Sequence, residues 1–314
     1  MTEQMTMLFT LTLSGAAIWG LVNVIKSHLL RNKNIHEDVV VVGTMLGASL
    51  VAFLIQFIWD GVPHGRIMPS FWLPFAVTAL LNIGIQYFSV KALKIEDASV
   101  VIPLAATMPI FVIFMSWFLL GEWPTFLGRV GIGLIAIGSY ILYLKGSPVA
   151  MPKRLEKIVP ERLRAPVLFY GAPWLRLFSS NGARLALLTA YLGAVAVNFD
   201  KLAVLEATPM LFSGSVFLVV GVFVWIWSAT SGRWQTLDKS NFKIIFLVGM
   251  LLGVGAVIMN GGYIYGIAPY VGTLKRTQIF WTLLFAALFL AEKHTAIRLV
   301  GATIMFFGVA LVAF

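Results

Sequence analysis

Long uncharged apolar runs recur along this chain, and they leave it few folds. Residues 5–25, 39–59, 67–90 and 98–121 contain no charged side chain, and 126–144 contains only Arg129 near its start. A helix that crosses a bilayer needs roughly 17–25 apolar residues, so each run is long enough to span. Further runs cover 185–205, interrupted by Asp200-Lys201, and 207–231. The uncharged stretch 244–274 is too long for one span, and a break is expected near Gly266-Ile267-Ala268-Pro269, because proline lacks a donor and disfavours helix in the residue before it. The ninth span then runs over 269–291 and the tenth over 296–314. With 60% hydrophobic and only 11% charged residues, a chain of this length could not bury its apolar surface in one water-soluble core. The expected fold is an all-α integral membrane protein of ten transmembrane helices.

Composition shifts sharply between the fifth and sixth runs. Residues 145–184 hold Pro148, Pro152, Pro160, Pro166 and Pro173 among many Lys and Arg. The predicted organisation is a first five-helix repeat over 1–144, a basic linker over 145–184, and a second five-helix repeat over 185–314. Within the linker, Trp174-Leu175-Arg176-Leu177-Phe178 fits either an interfacial helix or a loop. Of the 23 basic residues, eighteen fall on the linker's side of the predicted topology. Two, Arg66 and Arg129, fall on the other, and Lys201, Lys275 and Arg276 lie inside spans. The positive-inside rule places the linker in the cytoplasm and both termini outside, in a cell membrane of the bacterial inner type. No signal peptide is expected, because no basic segment precedes the first run. The net charge of +10 is then topological, and nucleic acid is not an expected partner.

The two halves resemble each other. Leu120-Gly121-Glu122 and Leu290-Ala291-Glu292 both close an apolar run, 170 residues apart. At the same spacing Val130-Gly131 matches Val300-Gly301, and Gly138 matches Gly308. Asn23-Val24-Ile25-Lys26 parallels Asn198-Phe199-Asp200-Lys201. An odd number of helices per repeat puts the second copy upside down in the membrane. Inverted repeats characterise carriers that bind solute near the bilayer midplane.

On these residues the chain resembles the drug/metabolite transporter superfamily, in its ten-helix EamA-type branch. The carrying segments are Ala92-Leu93-Lys94 through Ala98, the run to Glu122, the helix from Gly131 to Tyr140, and a second copy from Gly262 to Val312. The resemblance implies alternating access without ATP hydrolysis, a small-molecule substrate and no cofactor. The long basic linker and external termini depart from the usual pattern.

Charges inside spans are costly and come first as site candidates. Lys275-Arg276 lies about seven residues into the ninth run, with Asp200 and Glu206 in the sixth as possible proton sites or counter-charges. A surplus of cation fits an anionic substrate, and adjacent Lys and Arg suit a phosphate. Gly272-Thr273-Leu274-Lys275-Arg276 also resembles the ninth helix of the plastidic phosphate translocators, which implies that the pair grips phosphate with help from a tyrosine equivalent to Tyr263 or Tyr265. The structural alternative has Lys275 snorkelling outward and Arg276 paired with Asp200. Asn23, Asn198 and Lys201 fit ligand contact or polar glue between helices equally well. Trp281 fits a substrate wall or packing.

No Gly-rich loop ends in Gly-Lys-Ser/Thr, there is no Cys, and the four His do not cluster. These patterns point away from an ATPase, a metal site and an enzyme. The expected function is a secondary transporter of small organic solutes, anionic or phosphate-bearing. The alternatives are a generic exporter of amino acids, amines or other metabolites, and a flippase for a lipid-linked phosphate or sugar. The expected assembly is a monomer or homodimer in the lipid bilayer.

Overall fold

The computed structural model describes residues 2–33, 37–61, 69–144, 160–232, 239–290 and 296–314. Glu292, Arg66, Arg233, Lys293 and the linker up to residue 159 lie outside the described residues. Among those described there is no strand, and the helices are α1 (Glu3–Lys33), α2 (Glu37–Asp60), α3 (Trp72–Ile95), α4 (Ala98–Ala105), α5 (Met108–Leu120) and α6 (Phe126–Tyr143). They continue as α7 (Glu161–Arg176), α8 (Asn181–Glu206), α9 (Pro209–Thr230), α10 (Lys239–Tyr265), α11 (Ala268–Leu274), α12 (Gln278–Leu290) and α13 (Ala296–Val312). Among the described residues, eight helical segments are long and apolar enough to cross a membrane, taking α4 and α5 together, and α13 is a shorter apolar helix. The ninth expected span is present as α11 and α12, joined by a 3₁₀ turn over Lys275–Thr277. The linker is more regular than its proline content implied. Prolines 166 and 173 lie inside α7, which is tied down by Arg176 Nε, 3.8 Å from Glu96 Oε2, and by Tyr140 Oη donating to the Tyr170 carbonyl at 2.6 Å.

The chain forms two compact units. The first holds residues 1–83 and 196–293, and the second holds 84–195 and 294–312. In the first unit α10 packs between α1 and α2, and α2 packs on α9. The core there is Val22, Val39, Ala48, Phe217, Ile245, Leu252 and Ala256. Two small-residue seams, Gly43/Gly47 on α2 and Gly249/Gly253 on α10, let these backbones touch. A Cβ on Gly253 would sit 2.5 Å from the Ala48 carbonyl, so nothing larger fits without pushing the helices apart.

In the second unit α6 packs along α13, and the glycine matches read from the sequence acquire a geometry. A Cβ on Gly131 would lie 2.6 Å from the Gly308 carbonyl, and one on Gly138 would lie 2.6 Å from the Gly301 carbonyl. The reverse contacts, Gly308 to Gly131 at 2.7 Å and Gly301 to Gly138 at 2.8 Å, complete the set. Glycines that correspond by repeat therefore meet crosswise. That pattern arises when two equivalent helices pack antiparallel about a local twofold axis, as inverted repeats require.

The breaks are also related by repeat. Helix α4 starts at Ala98 and stops at Ala105, while α11 starts at Ala268 and stops at Leu274. At the first break Thr107 Oγ1 donates to the Leu104 carbonyl at 2.6 Å. At the second, Thr277 Oγ1 donates to the Leu274 carbonyl at 2.7 Å. Leu104-x-x-Thr107 and Leu274-x-x-Thr277 are again 170 residues apart. A hydroxyl that takes a carbonyl in this way competes with the helical ladder. Pro109 strengthens the first break, because its ring meets the carbonyl four residues back. The second break has no proline and carries the two cations instead.

Candidate functional site

The site grows from that second break. Lys275 opens the 3₁₀ turn, and its ammonium turns inward to the first unit rather than snorkelling outward. Nζ donates to Asn260 Oδ1 at 2.6 Å and to Tyr263 Oη at 3.0 Å, and it stands 4.2 Å from the centre of the Tyr263 ring. Both partners lie on α10 three residues apart, so they share one helix face. Asp200 Oδ2 on α8 is 4.0 Å from Nζ, and these two side chains are 17% and 16% exposed. The ion pair thus joins Lys275 to Asp200, whereas the structural alternative assigned Asp200 to Arg276. An ammonium carries three donors. Two are committed to neutral acceptors, and the third is directed to a carboxylate beyond hydrogen-bond length.

A second layer fixes these groups. Asn260 Nδ2 donates to Ser213 Oγ at 2.8 Å, and Ser213 Oγ donates to the Pro209 carbonyl at 2.6 Å. Thr78 Oγ1 on α3 lies 2.8 Å from Asp200 Oδ1 and 3.3 Å from the Ala196 carbonyl. Thr78, Ser213 and Asn260 were not read from the sequence. The available signal was Asn260, a polar residue one turn before Tyr263 in an uncharged run.

The remaining expected site residues divide. Arg276 follows Lys275 in the same turn. Lys201 Nζ donates to the Gly266 carbonyl at 2.9 Å, where α10 ends, and so serves a carbonyl that the break leaves without a helical partner. Glu206, at the end of α8, accepts a hydrogen bond from Ser70. Asn198 is fully buried on α8. Asn23 Nδ2 reaches Thr282 Oγ1 on α12 at 3.4 Å, a contact between helices. Trp281 packs where α1 passes closest, its Cβ 2.6 Å from where a Cβ on Gly20 would stand, and stacks on Phe285 with ring centres 6.0 Å apart. Tyr265 is 38% exposed, whereas Tyr263 is buried. Lys275, Asp200 and Tyr263 come together; Asn23, Trp281, Lys201 and Glu206 are engaged elsewhere.

Residues 6–144 match the EamA-like transporter family, and residues 180–314 match it again. The chain belongs to the EamA-like transporter family. The double match falls on the two halves that the glycine and threonine spacings relate, and it makes this EamA-like protein a multi-pass membrane transporter of small solutes. A solved structure titled "Crystal structure of protein" aligns with 99% of this chain and 98% of its own, at a TM-score of 0.72 and 14% identity; it shares the fold. No curated protein matches the chain.

Proposed function

We propose that this EamA-like protein is a secondary carrier for a small anionic organic solute, carboxylate- or phosphate-bearing, that works by alternating access with Lys275 as its anion-binding group. The observation that supports this most is the incomplete coordination of Lys275. Its ammonium is held in place by Asn260 and Tyr263, which leave the charge intact and one donor without a close acceptor. A solute oxyanion at hydrogen-bond distance would make a stronger contact there than Asp200 makes at 4.0 Å. Arg276 in the same turn supplies a second cation, and discontinuous helices that bring polar groups to mid-membrane are a recurring means of binding solute in carriers. The paired breaks at Thr107 and Thr277 provide the points where each half can bend. The linker lies in the cytoplasm in this reading, as the distribution of Lys and Arg requires.

The test is a thermal-shift screen of the purified protein. Phosphorylated metabolites, carboxylates and lipid-linked phosphates are compared with matched neutral compounds, amines and amino acids, beside Lys275→Ala and Arg276→Ala. Stabilisation by anions alone, absent from Lys275→Ala, is the expected result. Stabilisation by amines or amino acids, with Lys275→Ala responding like wild type, would replace this reading with a generic metabolite exporter in which the cations are structural. Stabilisation confined to lipid-linked phosphates would favour a flippase.

A further inference from the structure

We propose that Asp200 is the coupling-proton site of this carrier: it releases Lys275 to the incoming anion by taking up a proton, so that anion and proton move together. The inference rests on Lys275 being the anion-binding group.

The argument begins with charge balance in a poorly hydrated space. With the site empty, the Asp200 carboxylate and the Lys275 ammonium offset each other at 4.0 Å. An anion bound to Lys275 puts two negative groups around one cation away from bulk water. Two carboxylate-like groups sharing a site cannot both stay ionised cheaply, and one of them takes a proton. Asp200 is the group placed to do so without disturbing its neighbours. Lys275 keeps Asn260 and Tyr263 as acceptors whether or not Asp200 is charged, so the ammonium stays in position when the pair opens.

The hydroxyl of Thr78 provides for both states of Asp200. It has one hydrogen and two acceptors in reach, Asp200 Oδ1 at 2.8 Å and the Ala196 carbonyl at 3.3 Å. While Asp200 is ionised, Thr78 donates to Oδ1. Once Oδ1 carries a proton, Asp200 donates to Thr78 Oγ1 and the hydroxyl hydrogen turns to the Ala196 carbonyl. Asp200 Oδ1 and the Thr78 hydroxyl keep a hydrogen-bond partner in both arrangements. The proton comes from water or buffer and is bound to a carboxylate oxygen; no covalent bond of the solute changes.

The other charged or titratable groups nearby are already occupied or belong to the anion site. On α8, Lys201 is held at the Gly266 carbonyl and Glu206 by Ser70. The 3₁₀ turn brings Lys275 and Arg276, and α10 brings Tyr263, whose hydroxyl accepts from Lys275. The contact from α3 is the uncharged Thr78.

The experiment is calorimetry on the purified wild-type protein with dimethyl phosphate and, in parallel, pyruvate, two anions whose charge is constant through the neutral range. Titration in buffers of different protonation enthalpy gives the protons taken up per anion bound. The expected result is an uptake approaching one proton, falling to near zero in Asp200→Asn and restored in Asp200→Glu. Anion binding with no proton uptake by the wild type overturns this inference and leaves the anion site standing. Uptake that persists in Asp200→Asn assigns the proton elsewhere and overturns it too. If neither anion binds, the anion reading of Lys275 fails, and the coupling scheme fails with it.

Discussion

Replacing Lys275 by Met keeps the length of the side chain and removes its charge. The Asp200 carboxylate is then left with the Thr78 hydroxyl as its hydrogen-bond partner, in a position 17% exposed. Two unit charges 4.0 Å apart attract by about 4 kcal/mol at an effective dielectric constant of about 20. Breaking a buried pair from one side costs roughly 3–5 kcal/mol, because the remaining charge stays desolvated. Loss of the donors to Asn260 and Tyr263 adds about 1 kcal/mol each. Lys275→Met is therefore expected to lower the unfolding free energy by about 5–7 kcal/mol, part of it relieved where Asp200 takes a proton. Adding Asp200→Asn removes the uncompensated charge, so the double variant should be more stable than Lys275→Met by about 2–3 kcal/mol. Reversible unfolding in mixed micelles with added SDS, followed by tryptophan fluorescence, measures these differences as a double-mutant cycle. A double variant no more stable than Lys275→Met, or a Lys275→Met protein within about 1 kcal/mol of wild type, would refute the view that the two charges are coupled and buried.

Four further outcomes are expected. Gly308→Val places a Cβ 2.7 Å from the Gly131 carbonyl and 2.8 Å from Ile135 Cγ1, and should cost about 1–3 kcal/mol by overpacking. Gly133→Ala on the same face-to-face pair of helices meets nothing within 4 Å and should stabilise by about 0.5–1 kcal/mol, since glycine is the poorer residue in a helix interior. Lys201→Met strands the Gly266 carbonyl and should destabilise by about 1.5–3 kcal/mol, with Lys201→Gln recovering part of the loss, read in the same unfolding assay. Asn23→Ala breaks one long contact to Thr282, at 3.4 Å, and should cost under about 1 kcal/mol with no change in anion affinity by calorimetry; a lost affinity would return Asn23 to the binding site.

Helix positions were legible in the sequence because lipid imposes a length and an apolarity that soluble folds do not. The break before Pro269 was legible for a similar reason, since proline removes a donor and fixes a dihedral wherever it occurs. The break at Lys275 was not. There the Thr277 hydroxyl takes a carbonyl, and the partners of Lys275 lie 12, 15 and 75 residues away in the chain. Gly261-Gly262 does not bend its helix, and α10 runs unbroken through the pair. There the glycines serve close packing, with Thr12 Oγ1 against Gly262.

The sequence by itself determined the class of solvent, the number of spans and the existence of two related halves, because apolar run length, charge placement and fixed spacings are properties of the chain alone. It also singled out Lys275 and Asp200, since ions in apolar runs are conspicuous, whereas Tyr263 or Tyr265 entered only through the resemblance to the phosphate translocators. Only the tertiary structure decided which charge Asp200 meets, that Lys201 is spent on a helix end, and that Thr78, Ser213 and Asn260 complete the site. A hydrogen bond requires its two groups within about 3 Å, and residues from α3, α8, α9, α10 and the broken ninth span reach that separation only when the helices are packed.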